Sequence, residues 1–236
     1  MASMDELRNQ LVAIEADLDA GGYHVGAWDE FLRRVRGRSQ QERHGLAADV
    51  SRVSRKLHAR NGLRTVSLPA GIALELLATA VGGAALAIGR AQGSSVAAVV
   101  AAVIWITTFQ PLVKVCVGAL LGVRYEYVYL RGIEPRFKMR YGTYLAAPRW
   151  ARIVVHLSGT VGSPFAAWLG RKLMQPRLAP AASICMVLFW AVVALNALLF
   201  SAALIGVRRI GPIKLSTTSG GAAAWELREV LTGATT

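Results

Sequence analysis

Three long stretches nearly free of ionisable side chains constrain this chain more than any other feature. Residues 65–89 contain a single one, Glu75, while residues 91–113 and 178–207 contain none. About 20 consecutive apolar residues cross a bilayer, so each stretch is long enough for one span. A fourth, shorter stretch at 153–170 is interrupted only by His156 and small polar residues, and it reads as a further span. A hydrophobic fraction of 54% with only 17% charged residues is too apolar for a soluble chain of 236 residues. The expected fold is therefore an all-α integral membrane protein of about four transmembrane helices, near 66–89, 94–122, 153–170 and 178–207.

The net charge of +13 raises nucleic acid as a partner, but its placement supports a different reading. Eleven basic residues precede the first span, one separates the first from the second, and seven lie within 124–152. Three more lie between the third and fourth spans, and four follow the fourth. Alternating spans then put the basic segments in the cytoplasm, as the positive-inside rule requires. The expectation is a multi-pass protein of the cytoplasmic (inner) membrane with both termini cytoplasmic. Its partner is the lipid bilayer, and nucleic acid is not expected, because aromatic residues are not interleaved with the arginines. The first apolar stretch begins only after residue 64, so the first span reads as a permanent anchor and not as a cleavable signal. Cys116 and Cys185 fall inside predicted spans without metal-binding or redox spacing, which suits small packing residues.

Residues 1–64 read as a basic helical domain. Ser3 and Glu6 have capping-box spacing, and Leu7, Leu11, Ile14 and Leu18 follow at helical intervals until Gly21 and Gly22. Trp28, Phe31, Leu32 and Val35 form a second stripe, and Leu46, Val50, Val53 and Leu57 a third. Such narrow stripes must pack on one another or on another subunit. Arg55, Lys56, Arg60 and Arg64, with Arg136, Lys138 and Arg140 further on, are candidate contacts for anionic lipid headgroups. Residues 123–144 predict a small cytoplasmic β-hairpin: Tyr125, Tyr127 and Tyr129 alternate on one side of a turn at 132–135, and Phe137, Met139 and Tyr141 on the other. These tyrosines and cations suit the headgroup layer. The cytoplasmic tail, 210–236, contains a loop at 216–221 and then a short helix.

The order of these elements resembles the core of the site-2 protease family, the intramembrane zinc metalloproteases. The resemblance is carried by Gly122, Val123 and Arg124 closing the second span, the hairpin after it, RWARIVVHLSGTVGSP at 149–164, Gly211 with Pro212, and Ser219, Gly220 and Gly221 ahead of WELREVL. It covers roughly residues 110–231. In that family two histidines one helical turn apart and a carboxylate hold zinc, and a glutamate activates the bound water. The positions matching HExxH here are Gln110, Pro111, Leu112, Val113 and Lys114, and Ser219 stands where the aspartate would. Gln110, Pro111, Lys114 and Ser219 thus mark a degenerate metal site, and the resemblance implies no metal, no cofactor and no catalytic residue. Thr160 and Ser163 also depart from the proline and asparagine of the family's next motif.

Glu75, Lys114 and His156 are the ionisable residues within the predicted spans, at depths of about 14, 12 and 5 Å from the cytoplasmic ends at roughly 1.5 Å per residue. Intramembrane charges face the protein interior or water, so a pair between Glu75 and Lys114 with His156 at the mouth of the same polar cluster is expected. Pro111 removes the hydrogen bond to the Thr107 carbonyl and can kink its helix. Gly118 and Gly122, like Gly159 and Ser163, have the spacing of close helix packing. The function expected is a non-catalytic, site-2-protease-like scaffold, a pseudoenzyme that binds a membrane-protein partner or a second copy of itself. Two alternatives stay open: a small transporter or channel component using the Glu75, Lys114 and His156 cluster, and an active intramembrane metalloprotease.

Overall fold

The computed structural model describes residues 3–131 and 134–231. The chain begins with four helices, α1 (Met4–Asp19), α2 (Ala27–Arg36), α3 (Gln40–Gly45) and α4 (Ala47–Ala59). The Ser3 and Glu6 capping box closes on the start of α1, and Ser39 with Glu42 forms a second one at α3. The three apolar stripes meet in one core of Leu7, Leu11, Ile14, Phe31, Val35, Leu46, Val50 and Val53. Leu145 from a later helix of the same chain enters that core as well.

A short strand β1 (Thr65–Ser67) leads into α5 (Leu68–Gln92), and α6 (Ser95–Leu120) returns. Ser67 and Ser94 cap these two helices by accepting the amides of Ala70 and Ala97. At the far end of α6 Gly122 takes φ +79°, the left-handed conformation that a glycine adopts without strain, and the Val123 amide reaches back 2.8 Å to the Gly118 carbonyl. Strands β2 (Tyr125–Arg131) and β3 (Glu134–Met139) then pair antiparallel, with Gly132 and Ile133 of the expected turn outside the described residues. The sheet is larger than a hairpin, since β1 pairs with the outer edge of β2.

The short helix α7 (Tyr141–Ala146) precedes α8 (Arg149–Met174) and α9 (Ala179–Leu204). A two-stranded ribbon, β4 (Arg209–Ile210) and β5 (Ile213–Lys214), and a 3-10 turn follow, and α10 (Ser219–Leu231) closes the described chain. Four helices, α5, α6, α8 and α9, are long and apolar enough to cross a membrane. The third runs from Arg149 to Met174, longer at both ends than the 153–170 stretch read from the sequence. α8 is the central helix, packed against α6, α9 and α10, and Arg152 in its first turn is fully buried among its neighbours. Half of its most apolar window is buried, against 11% for α9.

Small residues allow the close contacts. A Cβ on Gly162 would fall 2.8 Å from the Gln110 Cα, and one on Gly82 would meet the Trp105 ring at 2.7 Å. The Trp105 indole N–H donates to the Thr79 carbonyl at 3.0 Å, which locks α6 onto α5. Pro111 lies within α6 without ending it, and the Thr107 hydroxyl turns back onto the Ile104 carbonyl at 2.8 Å. Gly118 serves a side chain and not a second helix: its bare Cα admits Tyr125, whose hydroxyl donates to the Lys114 carbonyl at 2.9 Å.

The amino-terminal helices dock on α7. Gly142 sits so close to α4 that a Cβ would lie 1.7 Å from the Ala47 carbonyl oxygen. Its amide donates to the Ser51 hydroxyl at 3.1 Å, and Arg43 Nε donates to the Leu145 carbonyl at 2.8 Å.

Candidate functional site

Helix α8 carries a stripe of polar and small residues at 152, 156, 159 and 163, a spacing of four, three and four that keeps them on one face. Each member meets a different partner. Ser163 donates to the Ile106 carbonyl at 2.8 Å and reaches Gln110 Oε1 at 3.3 Å. At Gly159 the missing side chain leaves room for two groups, the Ser219 hydroxyl from α10 and the Lys114 stem from α6. Lys114 Nζ stands 3.4 Å from Ser219 Oγ, and Gln110 Nε2 stands 3.5 Å from the same oxygen. Gln110, Lys114 and Ser219 therefore converge on one point, while Pro111 contributes only to the run of α6.

The pairing of Glu75 with Lys114 expected from sequence does not form. Trp105 and Thr108 define the side of α6 that faces α5, with Thr79 and Thr108 sharing a hydrogen bond at 3.0 Å. Lys114 lies six residues beyond Thr108, a rotation that leaves it about 120° away from that side at roughly 100° per residue. It consequently points to α8 and α10. Glu75, 3% exposed, stays on the α5 side, and its Oε1 has no hydrogen-bond partner.

His156 does not join them through a hydrogen bond either. Its Nε2 lies 2.9 Å from the Tyr144 hydroxyl, which itself donates to Glu226 Oε1 at 2.6 Å. Because that hydroxyl has one proton and gives it to the carboxylate, the imidazole is the donor in the first contact. The other Glu226 oxygen is 3.1 Å from Arg152 Nη2. This network of Arg152, Glu226, Tyr144 and His156 joins α7, α8 and α10 and is wholly interior; Arg152 is 0% exposed. Burial, with the Glu226 carboxylate beside it, holds the Tyr144 hydroxyl well above its ordinary pKa, so it remains a proton donor. Arg152, Tyr144 and Glu226 were not singled out from sequence. The signal was present in the spacing of Arg152 and His156, one turn apart on the stripe that also contains Gly159 and Ser163.

Most of the cations expected at lipid headgroups also have partners within the chain. Arg55 and Arg140 both pair with Glu126, at 2.9 and 3.4 Å. Lys56 pairs with Asp19 at 2.7 Å and Glu15 at 2.9 Å, and Arg60 stacks over the Tyr23 ring. Lys138 donates to the Ser54 hydroxyl at 2.8 Å, and burial lowers its pKa. Arg136 is half-buried on β3 and Arg64 is exposed. The tyrosines also turn inward: Tyr125 onto α6, Tyr127 onto His58 Nδ1 at 2.9 Å, and Tyr129 edge-on to the same ring. Their period-two spacing made them contiguous, and α4 and α6 cover the surface that results.

Beside the polar junction an apolar groove of about 410 Å³ runs between α8 and α9, lined by Val161, Pro164, Phe165, Trp168, Phe189 and Val193 with Thr160 and Asn196. Its polar residues adjoin the start of α10, where a Cβ on Gly220 would contact the Asn196 carbonyl at 3.3 Å and Thr160 at 3.6 Å. Among the described residues no three His, Cys, Asp or Glu side chains gather as a metal site would require. Gln110, Lys114 and Ser219 do not fit zinc chemistry, since an ammonium repels a divalent cation and neither remaining group is an anionic ligand. No family model, curated protein or solved structure matches this chain.

Proposed function

We propose that this chain is an integral protein of a prokaryotic cytoplasmic membrane, amino terminus inside, that acts as a non-catalytic scaffold for another membrane protein. The four long apolar helices and the alternation of basic and charge-poor segments support the placement. One observation carries the functional reading. Gln110, Lys114 and Ser219, the positions that the resemblance to site-2 proteases marks as former metal ligands, meet within 3.5 Å at the centre of α6, α8 and α10. A polar junction with protease-like positions but with an amide, an ammonium and a hydroxyl in place of ligands can hold a polypeptide without activating water. The neighbouring groove between α8 and α9 offers apolar walls for a membrane segment.

The test is purification from membranes in mild detergent, followed by identification of companions and metal analysis. A stoichiometric membrane-protein companion, or a defined homo-oligomer, with zinc well below one per chain is the expected result. A lone monodisperse monomer would count against the scaffold. Stoichiometric zinc that disappears in His156→Ala would replace it with the metalloprotease reading.

A further inference from the structure

The junction at Lys114 is rich in donors and poor in negative charge. Lys114 Nζ and Gln110 Nε2 both point at Ser219 Oγ, which leaves the Ser219 hydroxyl proton free to be donated. Ser219 is the first residue of α10, and the opening amides of a helix have no partner one turn earlier. The amide of Gly221 is already bound to Thr218 Oγ1 at 3.1 Å. The helix start adds partial positive charge to that of the ammonium.

No carboxylate compensates it. Among the described residues no Asp or Glu oxygen lies within 4 Å of Lys114, and Glu226, the one acidic side chain in the neighbouring interior, is occupied by Arg152 and Tyr144. Arg136 of β3, a second cation, adds to the positive charge around Lys114. An ammonium in a low-dielectric layer without a counter-charge is costly, and proteins pair such groups or place them where something else supplies the charge. Lys114 and Gln110 keep partial exposure, while Ser219 beneath them is buried.

We propose that this junction is a carboxylate site, and that its ligand is an aspartate or glutamate carried inside an apolar membrane helix of the partner. This rests on the scaffold reading and specifies the partner it takes. Lys114 Nζ supplies the ionic contact, Gln110 Nε2 and the Ser219 hydroxyl supply hydrogen bonds, and charge complementarity selects the occupant. Lys114 precedes the end of α6 at Leu120 by six residues, so the partner's carboxylate lies about 9 Å inside its own span at roughly 1.5 Å per residue.

The experiment uses the full chain in lipid nanodiscs and fluorescent synthetic helices of about 22 leucine and alanine residues. Each helix carries aspartate, asparagine or leucine six residues from one end, and binding is read by energy transfer. The aspartate helix binds at least about tenfold tighter than the asparagine helix, and Lys114→Met removes that difference while Lys114→Arg retains it. Lys114→Arg also guards against a variant that fails to fold. Equal binding of all three helices would overturn the carboxylate site and leave the scaffold standing. An aspartate preference that survives in Lys114→Met would overturn it as well, and binding of none would remove both readings.

Discussion

Replacing Arg152 by methionine tests the buried network most directly. In the intact chain the Arg152 guanidinium is 0% exposed and lies 3.1 Å from Glu226 Oε2, whose side chain is 4% exposed. Methionine fills much of the same volume but leaves the carboxylate in the interior with only the Tyr144 hydroxyl bond. Removing one partner of a buried ion pair costs about 3–5 kcal/mol, because the other charge then has no compensation. For a chain of this size that corresponds to a fall in Tm of roughly 6–20 °C. The assay is thermal unfolding in detergent together with hydrogen exchange over α10, which loses its anchor to α8. Glu226→Gln alone also destabilises, since it leaves the guanidinium uncompensated. The double change Arg152→Met with Glu226→Gln costs less than the sum of the two. Single variants that each lose under about 1 kcal/mol, or a double variant that is strictly additive, would refute a coupled buried pair.

Two further outcomes follow from the same contacts. Gly142→Ala places a methyl group against the Ala47 carbonyl, which is backbone and cannot swing aside. Overpacking of this kind costs about 1–3 kcal/mol, and limited proteolysis reports it as faster cleavage between the amino-terminal bundle and α7. The pH dependence turns on His58, whose pKa is lowered first by burial and then by Lys138, with Glu126 opposing. Its folded value therefore lies below its unfolded one. The stability it contributes is fully present above about pH 6.5 and is lost as pH falls through the folded value. Tm measured on acidification should drop more steeply in the native chain than in His58→Gln, and identical profiles would rule out His58 as the group responsible.

Much of the architecture was legible because it depends on short segments. The stripe of Leu7, Leu11, Ile14 and Leu18 gives a helix wherever it is placed, and it packs in the core as expected. The capping box at Ser3, the four long apolar helices and the pairing of β2 with β3 are equally local. The third strand at Thr65–Ser67 was not legible, since three exposed residues have no period to read. Nor was the closure of the amino-terminal core by Leu145, which comes from beyond two long helices.

The sequence by itself determined which segments are helical and apolar, where the charges lie along the chain, and which positions could supply a polar site. Tertiary structure alone decided that Lys114 meets Ser219, 105 residues away, and not Glu75, and that His156 and Arg152 meet through Tyr144 and Glu226. The physical reason is rotational. Transfer free energy and hydrogen-bond periodicity act within a segment and are nearly indifferent to how a helix is turned about its axis. That turn is set by the close contacts at Gly82, Gly159 and Gly162 and by the return of α10, and it determines which side chains share an interior.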